Sequence, residues 1–416
     1  MTLSYTEYQE IAANIRPNGQ AFIDGKFCDA ADGQKFDTTN PATGQVLASV
    51  AHCKAVDVDR AVIAARRVFN AGTWSRAEPE ARKEVLLKVA TLVRKHTHEL
   101  AVLESLDTGK TINDCMDEIG GEVVNFFQWY AELADKSFGK IAPTGLSALA
   151  LIVKEPAGVA GAVLPWNFPL VMAAWKIAPS LSVGCSAIIK PAEQTPLSTI
   201  RLAELMQEAG VPDGVINIIP GYGETAGQAI GMHNDIDTVS FTGSSEVGRM
   251  FMRYSGDSNL KGVGLEMGGK SPFIVLEDAL LDDELIEHAA MSAFWNGGQN
   301  CSANMRQLIA TPLVDEFTGL ILERVKAFKL GDPLDPATDI GSMITKDHKE
   351  MVMSYIQSGV DEGANMLTGG ESNVSGYFIK PTVFGNITPE MKISREEIFG
   401  PVLGIMPVKM PKRPSG

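Results

Sequence analysis

Apolar strands alternate with amphipathic helices through the middle of the chain, from Gly158 to Ser255. Short apolar runs, each the length of a buried strand, are separated by stretches whose apolar positions recur at helical spacing. The predicted strands lie in GVAGAVLP, SAIIKP, GVINIIPG and TVSFTG, and the predicted helices in LVMAAWKIAPSLSVG, LSTIRLAELMQEAG, ETAGQAIGMH and SSEVGRMFMRYSG. This alternation predicts βαβ units, a doubly wound parallel sheet and therefore an α/β fold class.

Two further regions flank this segment. Before it, AFIDGKFCDA predicts a hairpin that turns at Asp24-Gly25, and NPATGQVLASV predicts a turn followed by a strand. Amphipathic helices are predicted from Val56 to Phe69, through EARKEVLLKVATLVRKHTHELAVLESLDTGK as far as Gly109, and from about Cys115 to Leu133. After the segment, GVGLEMGGKSPFIVL is expected to open a second mixed α/β region.

Composition narrows the class of function. The 416 residues carry a formal net charge of −15, which argues against nucleic acid and anionic membranes, because Lys and Arg hold both. Five cysteines without a C-x-x-C pair indicate a reduced, cytoplasmic compartment and no metal site, and the N-terminus lacks a secretory signal. The long uncharged stretch from Pro156 to Trp175 contains three prolines, which favours a buried strand, loop and helix over a membrane span.

Two strand ends carry residues that suit a nucleotide. In FTGSSEVG a strand meets Gly243 and Ser244 just before a helix, whose free N–H groups would suit a pyrophosphate. The alternative is an ordinary glycine turn with a serine cap. In KPAEQTP, Lys190 could bond ribose hydroxyls, and Glu193 would favour NAD over NADP by repelling a 2′-phosphate. The alternative there is a solvated loop.

Cys301 lies in the loop GGQNCSAN, among small and amide residues rather than the apolar neighbours of a core cysteine. A nucleophilic cysteine needs access and a setting that stabilises the thiolate. None of the six histidines lies in a comparable loop, so the expected base is Glu266 in LEMGGKSP. We expect an apolar setting there to desolvate that carboxylate and make it a stronger base. The alternatives are a small core cysteine and a buried structural carboxylate.

Six motifs occur in the order found in the aldehyde dehydrogenase superfamily, which the chain resembles from FIDGKF to EEIFGPV. They are PWNFP, KPAEQTP, FTGSSEVG, LEMGGKSP, GGQNCSA and EEIFGPV. A narrower resemblance, carried by GDSNLK, is to the bacterial γ-glutamyl-γ-aminobutyraldehyde dehydrogenase branch. The resemblance implies NAD-dependent oxidation of a small aldehyde to a carboxylic acid, through a thiohemiacetal and a thioester on a cysteine.

The same resemblance assigns roles to residues. Cys301 would be the nucleophile, Asn167 an oxyanion donor together with the Cys301 N–H, Glu266 the activator of water, and Lys176 a lysine near the active site and cofactor. Lys190 and Glu193 would hold the adenosine ribose, Gly243 and Ser244 the pyrophosphate, and Glu397 the nicotinamide ribose, with Phe399 near the nicotinamide. The remaining cofactor positions by resemblance are Trp166, Gly223, Phe241 and Val247.

The resemblance also implies a domain plan. It places an NAD-binding domain at 1–136 and 155–265, an oligomerisation arm at 137–154, a catalytic domain at 266–408 and an atypical tail at 409–416. Family members continue well past EEIFGPV, so we expect an incomplete catalytic domain and a missing partner strand for the arm. Codons allowed for the tail, read one base earlier, can spell a helix start typical of the family, which suggests a frameshift; the alternative is a natural short form with a basic tail. A homodimer or homotetramer is expected.

Two alternative functions remain open from the sequence. A cysteine acyl-transfer hydrolase without a cofactor would share Cys301 and Glu266, but it gives no reason for Lys190, Glu193 and Ser244. A truncated, catalytically impaired remnant would bind nucleotide without turnover. Dependence of product formation on NAD separates the first from a dehydrogenase, and turnover separates the second.

Overall fold

The computed structural model describes residues 2–371 and 374–409, and it has two main sheets with helices packed against them. Both sheets are built largely from parallel strands, as the alternation of apolar strands and helices predicted. The α/β class is therefore confirmed. Within the described part of the chain, no helix is both long and apolar enough to cross a membrane.

The larger sheet has seven strands in the order β11-β10-β7-β8-β9-β1-β2, and its five strands from β11 to β9 run parallel. The hairpin β1–β2 is antiparallel and continues the sheet beyond β9. The strands are β1 Ala21–Ile23, β2 Lys26–Cys28, β7 Val159–Val163, β8 Ser186–Lys190, β9 Ile216–Ile218, β10 Thr238–Gly243 and β11 Gly262–Met267. Every residue of β7 and β8 is buried, because helices cover both faces of these central strands.

Ten helices precede β11, and most of them pack on this sheet or on each other. They are α1 Tyr5–Asn14, α2 Ala55–Ala71, α3 Pro79–Lys95, α4 Thr97–Thr108, α5 Ile112–Asp117, α6 Val124–Leu133, α7 Pro169–Ser182, α8 Leu197–Ala209, α9 Gln228–Met232 and α10 Ser245–Gly256. The π-helical turns 118–123 and 223–227 lead into α6 and α9. The predicted long helix before Gly109 is thus two helices, because His96 leaves the helical conformation between them.

The second sheet has five strands in the order β12-β13-β16-β15-β14, and only β14 is antiparallel to its neighbour. The strands are β12 Pro272–Val275, β13 Arg306–Ala310, β14 Asn365–Glu371, β15 Ile379–Gly385 and β16 Val402–Val408. The helices are α11 Asp283–Phe294, α12 Val314–Lys326, α13 Lys346–Asp361 and α14 Lys392–Arg395. Short 3₁₀ turns at 295–298 and 311–313 follow α11 and β13.

The expected start of the second region needs a correction. GVGLEM forms β11, which pairs in parallel with β10 and so belongs to the larger sheet. The boundary at 265/266 therefore cuts a strand, and the chain passes between sheets at 268–271. The ladder with β10 extends to Met267, and this pairing determines where β11 ends.

Two small hairpins complete the fold. β3 Lys35–Thr39 pairs with β4 Val46–Ala51, and β5 Lys140–Ala142 pairs with β6 Ala150–Ile152. The second hairpin lies inside the expected arm 137–154. Its region exposes the large apolar side chains Phe138, Ile141, Leu149, Leu151, Ile152 and Val153. The expected tail 409–416 lies outside the described residues, except for Lys409.

Candidate active site

The loop that carries Cys301 has an unusual backbone. Asn296, Gly297 and Gly298 all have positive φ, at 51°, 60° and 71°, a conformation that glycine and asparagine adopt at little cost. At Gly298 a Cβ atom would lie 2.2 Å from the carbonyl oxygen of Gly400, so no side chain fits between these two segments. Cys301 follows this turn and is exposed, as its small neighbours predicted.

The thiol of Cys301 is not in the thiolate-stabilising setting that the sequence argument required. Protein packed around the sulfur raises the pKa of Cys301, and the carboxylates of Glu397 and Glu266 raise it further. The backbone N–H groups of Cys301 and Ser302 lower it in part. The resting side chain is therefore a thiol, and reaction requires a proton acceptor.

Asn167 is buried in the turn between β7 and α7, against the Cys301 loop. Its Nδ2 donates to the carbonyl oxygen of Gln299 at 3.0 Å. Asn296 in turn donates through Nδ2 to the carbonyl oxygens of Asn167 and Gln299, each at 3.2 Å. An amide has two donor hydrogens, so Asn167 keeps one for a ligand while the other fixes its position beside the Cys301 loop.

Glu266 lies near the end of β11, and the expectation that its surroundings desolvate it is wrong. The residue is exposed, because β11 is an edge strand with one neighbour, β10, on which Thr242 pairs with Glu266. Its carboxylate nevertheless acts electrostatically on both Cys301 and Lys176. The alternative of a buried structural carboxylate is excluded by the same exposure.

Lys176 is buried on α7, and its Nζ donates to Ser240 Oγ at 3.0 Å. Burial lowers the pKa of Lys176 to about 8, and the carboxylate of Glu266 opposes this decrease. The lysine therefore lies within electrostatic range of one of the predicted catalytic groups while anchored to β10.

Lys190 and Glu193 follow each other at the carboxyl end of β8. Lys190 Nζ lies 3.1 Å from Glu193 Oε2 and donates to the carbonyl oxygen of Pro191 at 2.9 Å. Lys190 is 2% exposed, which excludes the solvated loop for this residue. Burial lowers the pKa of Lys190, and Glu193 and Glu224 oppose this effect. Only Glu193 of the pair reaches the surface.

Ser244 caps helix α10, where its Oγ accepts from the Val247 N–H at 3.3 Å. The serine cap that the sequence left as an alternative is therefore present, and the exposed start of the helix remains open to an anion. A Cβ at Gly243 would meet the Phe241 ring at 2.6 Å. Phe241 is buried and stacks on Phe251 with ring centroids 4.9 Å apart, so its ring belongs to the core.

Glu397 joins the segments at the ends of the two sheets. Its Oε1 accepts from the Gly269 N–H at 3.3 Å, and a Cβ at Gly268 would lie 1.9 Å from its Oε2. Burial raises the pKa of Glu397, while the Gly269 N–H and Lys270 lower it. The carboxylate thus lies on a glycine backbone that leaves room for it.

Sequence reasoning missed His348, which completes an aromatic cluster with Trp166 and Phe399. Trp166 lies 5.1 Å from the His348 ring and 5.2 Å from the Phe399 ring, centroid to centroid. His348 Nε2 donates to the carbonyl oxygen of Phe399 at 2.7 Å, and Phe399 has a left-handed φ of 56°. His348 lies in the first turn of α13, outside any small-residue loop, so the sequence offered no signal for it.

These positions fit a dinucleotide. Lys190 and Glu193 follow β8, and α10 follows β10; these two parallel strands flank β7, at the edge where ligands of doubly wound sheets bind. Gly223 begins a π-helical turn with open space where a Cβ would stand, so the backbone there is accessible. Glu397, Trp166 and Phe399 lie toward Cys301, which would put the reactive end of the ligand at the nucleophile.

Comparisons with known proteins agree with this geometry. The family model described as "Aldehyde dehydrogenase family" matches residues 27–412. Aminoacetaldehyde dehydrogenase of Pseudomonas aeruginosa is 46% identical over 403 residues, which cover 97% of this chain and 81% of that protein. The structure of γ-glutamyl-γ-aminobutyraldehyde dehydrogenase from Burkholderia cenocepacia superposes with a TM-score of 0.95 at 43% identity, covering 98% of this chain and 83% of that one.

A solved structure of the indole-3-acetaldehyde dehydrogenase AldA of P. syringae contains the cofactor that the sequence predicted. It is a mutant in complex with NAD+ and IAA, and it superposes with a TM-score of 0.96 at 41% identity. The match covers 98% of this chain and 83% of that one.

Proposed function

The chain belongs to the aldehyde dehydrogenase family, and from that premise we propose that it oxidises an aldehyde with NAD through covalent intermediates on Cys301. One observation carries the proposal. The exposed Cys301 lies two residues after Gln299, whose carbonyl oxygen accepts from the buried amide of Asn167, so a nucleophile and an oxyanion donor would belong to one fixed unit.

In the first step, the sulfur of Cys301 bonds to the aldehyde carbon, and the carbonyl oxygen becomes an oxyanion. Because the pKa of the thiol is raised, its proton must pass to a base, and we assign this role to Glu266. Since Glu266 is exposed, it can release the proton to solvent. The Asn167 amide and the Cys301 N–H hold the oxyanion.

Bound NAD would accept the hydride that leaves the thiohemiacetal carbon. Lys190 and Glu193 would hold the adenosine ribose, Gly243 and Ser244 the pyrophosphate, and Glu397 the nicotinamide ribose. Gly223 and Val247 border the same edge of the sheet, and Trp166 and Phe399 would face the nicotinamide. Phe241 would not contact the cofactor itself, because its ring packs in the core beneath Gly243. Glu193 would disfavour the 2′-phosphate of NADP.

In the last step, water attacks the thioester carbon and the carbon–sulfur bond breaks. Glu266 takes a proton from the water, and the sulfur leaves as thiolate. Lys176 attracts the Glu266 carboxylate while its ammonium is held on Ser240 Oγ, so it would help to orient the base near the strand end.

We also propose a class of substrate, an oligomeric assembly and a cellular location. The names of the two similar enzymes from P. aeruginosa and B. cenocepacia suggest a small amino-aldehyde as the first substrate to test. The hairpin β5–β6 exposes apolar side chains along two short strands, which supports a role as the arm of a homodimer or homotetramer. A cytoplasmic location remains a proposal from the unpaired cysteines.

The test is NADH formation from NAD and a panel of small aldehydes, amino-aldehydes included. We expect turnover by the native protein and a loss of at least about a thousandfold in Cys301→Ala. Cys28→Ala, at a half-buried cysteine beside Arg60, is the matched control and should retain activity. Acid formed without NAD would support the hydrolase instead. NAD binding without NADH formation would support the binding-only alternative.

A further inference from the structure

Two irregular segments adjoin or carry the carboxylates that the proposed function needs. One is 268–271, which directly follows β11, the strand of Glu266, and the other is 396–401, which contains Glu397. They touch through the Glu397 carboxylate and the backbone of Gly268 and Gly269. Because neither segment lies in a β-ladder, another contact must fix the distance between them.

Arg306 makes that contact. Its Nη2 donates to the carbonyl oxygen of Lys270 at 3.0 Å, and its Nη1 donates to the carbonyl oxygen of Ser394 at 3.3 Å. Ser394 is fully buried in α14, just before the Glu397 segment. Arg306 itself begins β13, which pairs with β12 and β16 in the second sheet.

The planar guanidinium suits this arrangement better than any other side chain would. It presents donors in a rigid fork, so one group can hold two carbonyl oxygens at a set spacing, and it stays charged at every pH of interest. The other cation here, Lys270, has a buried Nζ without a hydrogen-bond partner among the described residues. Burial and Arg306 together lower the pKa of Lys270 to about 8, while Glu397 opposes this.

Cys301 lies five residues before Arg306 on the same chain segment. The backbone of Arg306 is therefore close in the chain to the Cys301 loop. Its guanidinium binds one carbonyl oxygen in segment 268–271 and one just before segment 396–401. Arg306 thus contacts the backbone of one sequence motif, LEMGGKSP, and lies close in the chain to GGQNCSA, while its second contact, Ser394, lies just before the segment of EEIFGPV.

We propose that Arg306 is a positioning residue that sets the spacing between the Glu266 segment and the Glu397 segment relative to Cys301. This inference rests on the proposed function for what the spacing serves. It concerns residues to which neither the sequence motifs nor the resemblance gave a role. Loss of the fork would let the Glu397 segment move from Gly268 and Gly269, and so weaken the hold on the nicotinamide ribose.

The experiment compares Arg306→Gln and Arg306→Lys with Arg82→Gln. Arg82 is the matched control because it is buried and also donates to two backbone carbonyl oxygens, those of Ser182 and Ala77, far from the site in the chain. For each variant we would measure the melting temperature, the Kd for NADH by fluorescence titration, and kcat and KM for NAD per folded protein.

Arg306→Gln is expected to raise the Kd for NADH about tenfold and to lower kcat, because a charged donor to each segment is lost. Arg82→Gln should lower the melting temperature without changing Kd or kcat. Arg306→Lys, with one ammonium in place of a fork, should lie between the native protein and Arg306→Gln.

The proposal is overturned if Arg306→Gln melts early, as Arg82→Gln does, but keeps the native Kd and kcat. If Arg306→Gln does not fold, Arg306→Lys decides, and a native Kd in that variant also overturns the proposal. The Kd for NADH needs no turnover. An inactive native chain would therefore count against the proposed function while leaving this comparison readable.

Discussion

The residues proposed to hold the nucleotide and those proposed to react with the aldehyde, here called the nucleotide side and the reactive side, lie on different kinds of backbone. On the nucleotide side, Lys190 ends a fully buried strand and is ion-paired with Glu193, and Ser244 caps a regular helix. On the reactive side, Cys301 follows three left-handed residues, and Glu266 stands exposed on an edge strand. The first region is held by regular elements, and the second by contacts between loops.

This difference in backbone matches a division between cofactor binding on one side and the covalent steps on the other. Groups that hold a cofactor act equally before and during the reaction, so a rigid buried setting serves them well. In the proposed mechanism the nucleophile and the base exchange protons with solvent, and the exposure of Cys301 and Glu266 suits these roles. Changes on the two sides should accordingly alter different kinetic constants.

Among changes that leave Cys301 in place, the largest effect is expected at Asn167. Asn167→Ala removes an oxyanion donor and should lower kcat about 10²–10³-fold with little change in the Kd for NADH. Asn167→Asp, which keeps the size but removes the donor, should lose as much. Steady-state rates with one saturating aldehyde and an NADH titration would measure both.

The control for this pair is Asn259→Ala. Asn259 also donates from its amide to backbone oxygens, those of Asn234 and Ile236, but it lies outside both regions. The comparison breaks down if Asn167→Asp keeps the native kcat, or if either change at Asn167 weakens NADH binding as strongly as it slows turnover.

A smaller effect is expected at Lys190, and it should appear in KM for NAD rather than in kcat. Lys190→Met should raise KM for NAD about tenfold and change kcat less than about twofold, because uniform binding is lost. Lys261→Met is the matched control, since Lys261 is also buried and donates to a backbone oxygen, that of Gly231. Initial rates over a range of NAD concentrations decide the matter, and a fall in kcat alone would count against the division of roles.

The smallest effect concerns pH. Asp107 is buried, with Oδ2 accepting from the Leu197 N–H at 2.9 Å and Oδ1 lying 2.8 Å from Thr38 Oγ1. Burial raises the pKa of Asp107 to about 8, and Glu104 adds to the rise. The folded pKa of Asp107 exceeds its unfolded value, so protonated Asp107 contributes to the free energy of unfolding. This contribution is fully present below the ordinary carboxyl pKa range and is lost as pH rises through about 8.

Asp107→Asn should therefore lose less stability than the native protein between about pH 6 and about pH 9, by roughly 2–4 °C in melting temperature. The measurement is a set of thermal melts across that range. Asp57→Asn is the control, since Asp57 is equally buried but ion-paired with Arg60 at 3.2 Å. Parallel melting curves for the native protein and Asp107→Asn would contradict the assignment.

The sequence predicted the regular parts of the molecule well. Strands β7 and β8, the helices that follow them and the family resemblance are all confirmed, because period and motif order are local properties of the chain. The helix α1 was missed, although Ser4 and Glu7 form a capping box that signals its start.

Local sequence patterns could not predict the contacts of the loops, because these contacts depend on tertiary packing. The exposure of Glu266 depends on which strand lies at the sheet edge, and the role of Arg306 depends on two carbonyl oxygens distant in sequence. His348 likewise gains its position only when α13 packs near Trp166. Contacts of this kind follow from tertiary packing, which local patterns do not encode.

The contact between Gly298 and Gly400 has a consequence for engineering. No side chain separates the two backbones, so the loop that carries Cys301 and the loop that carries Glu397 are in direct backbone contact. A mutant library aimed at new aldehydes should hold Gly298 and Gly400 constant. Substitutions in the surrounding side chains would then reshape the entrance to the site, while the backbone contact between Gly298 and Gly400 keeps the two loops in place.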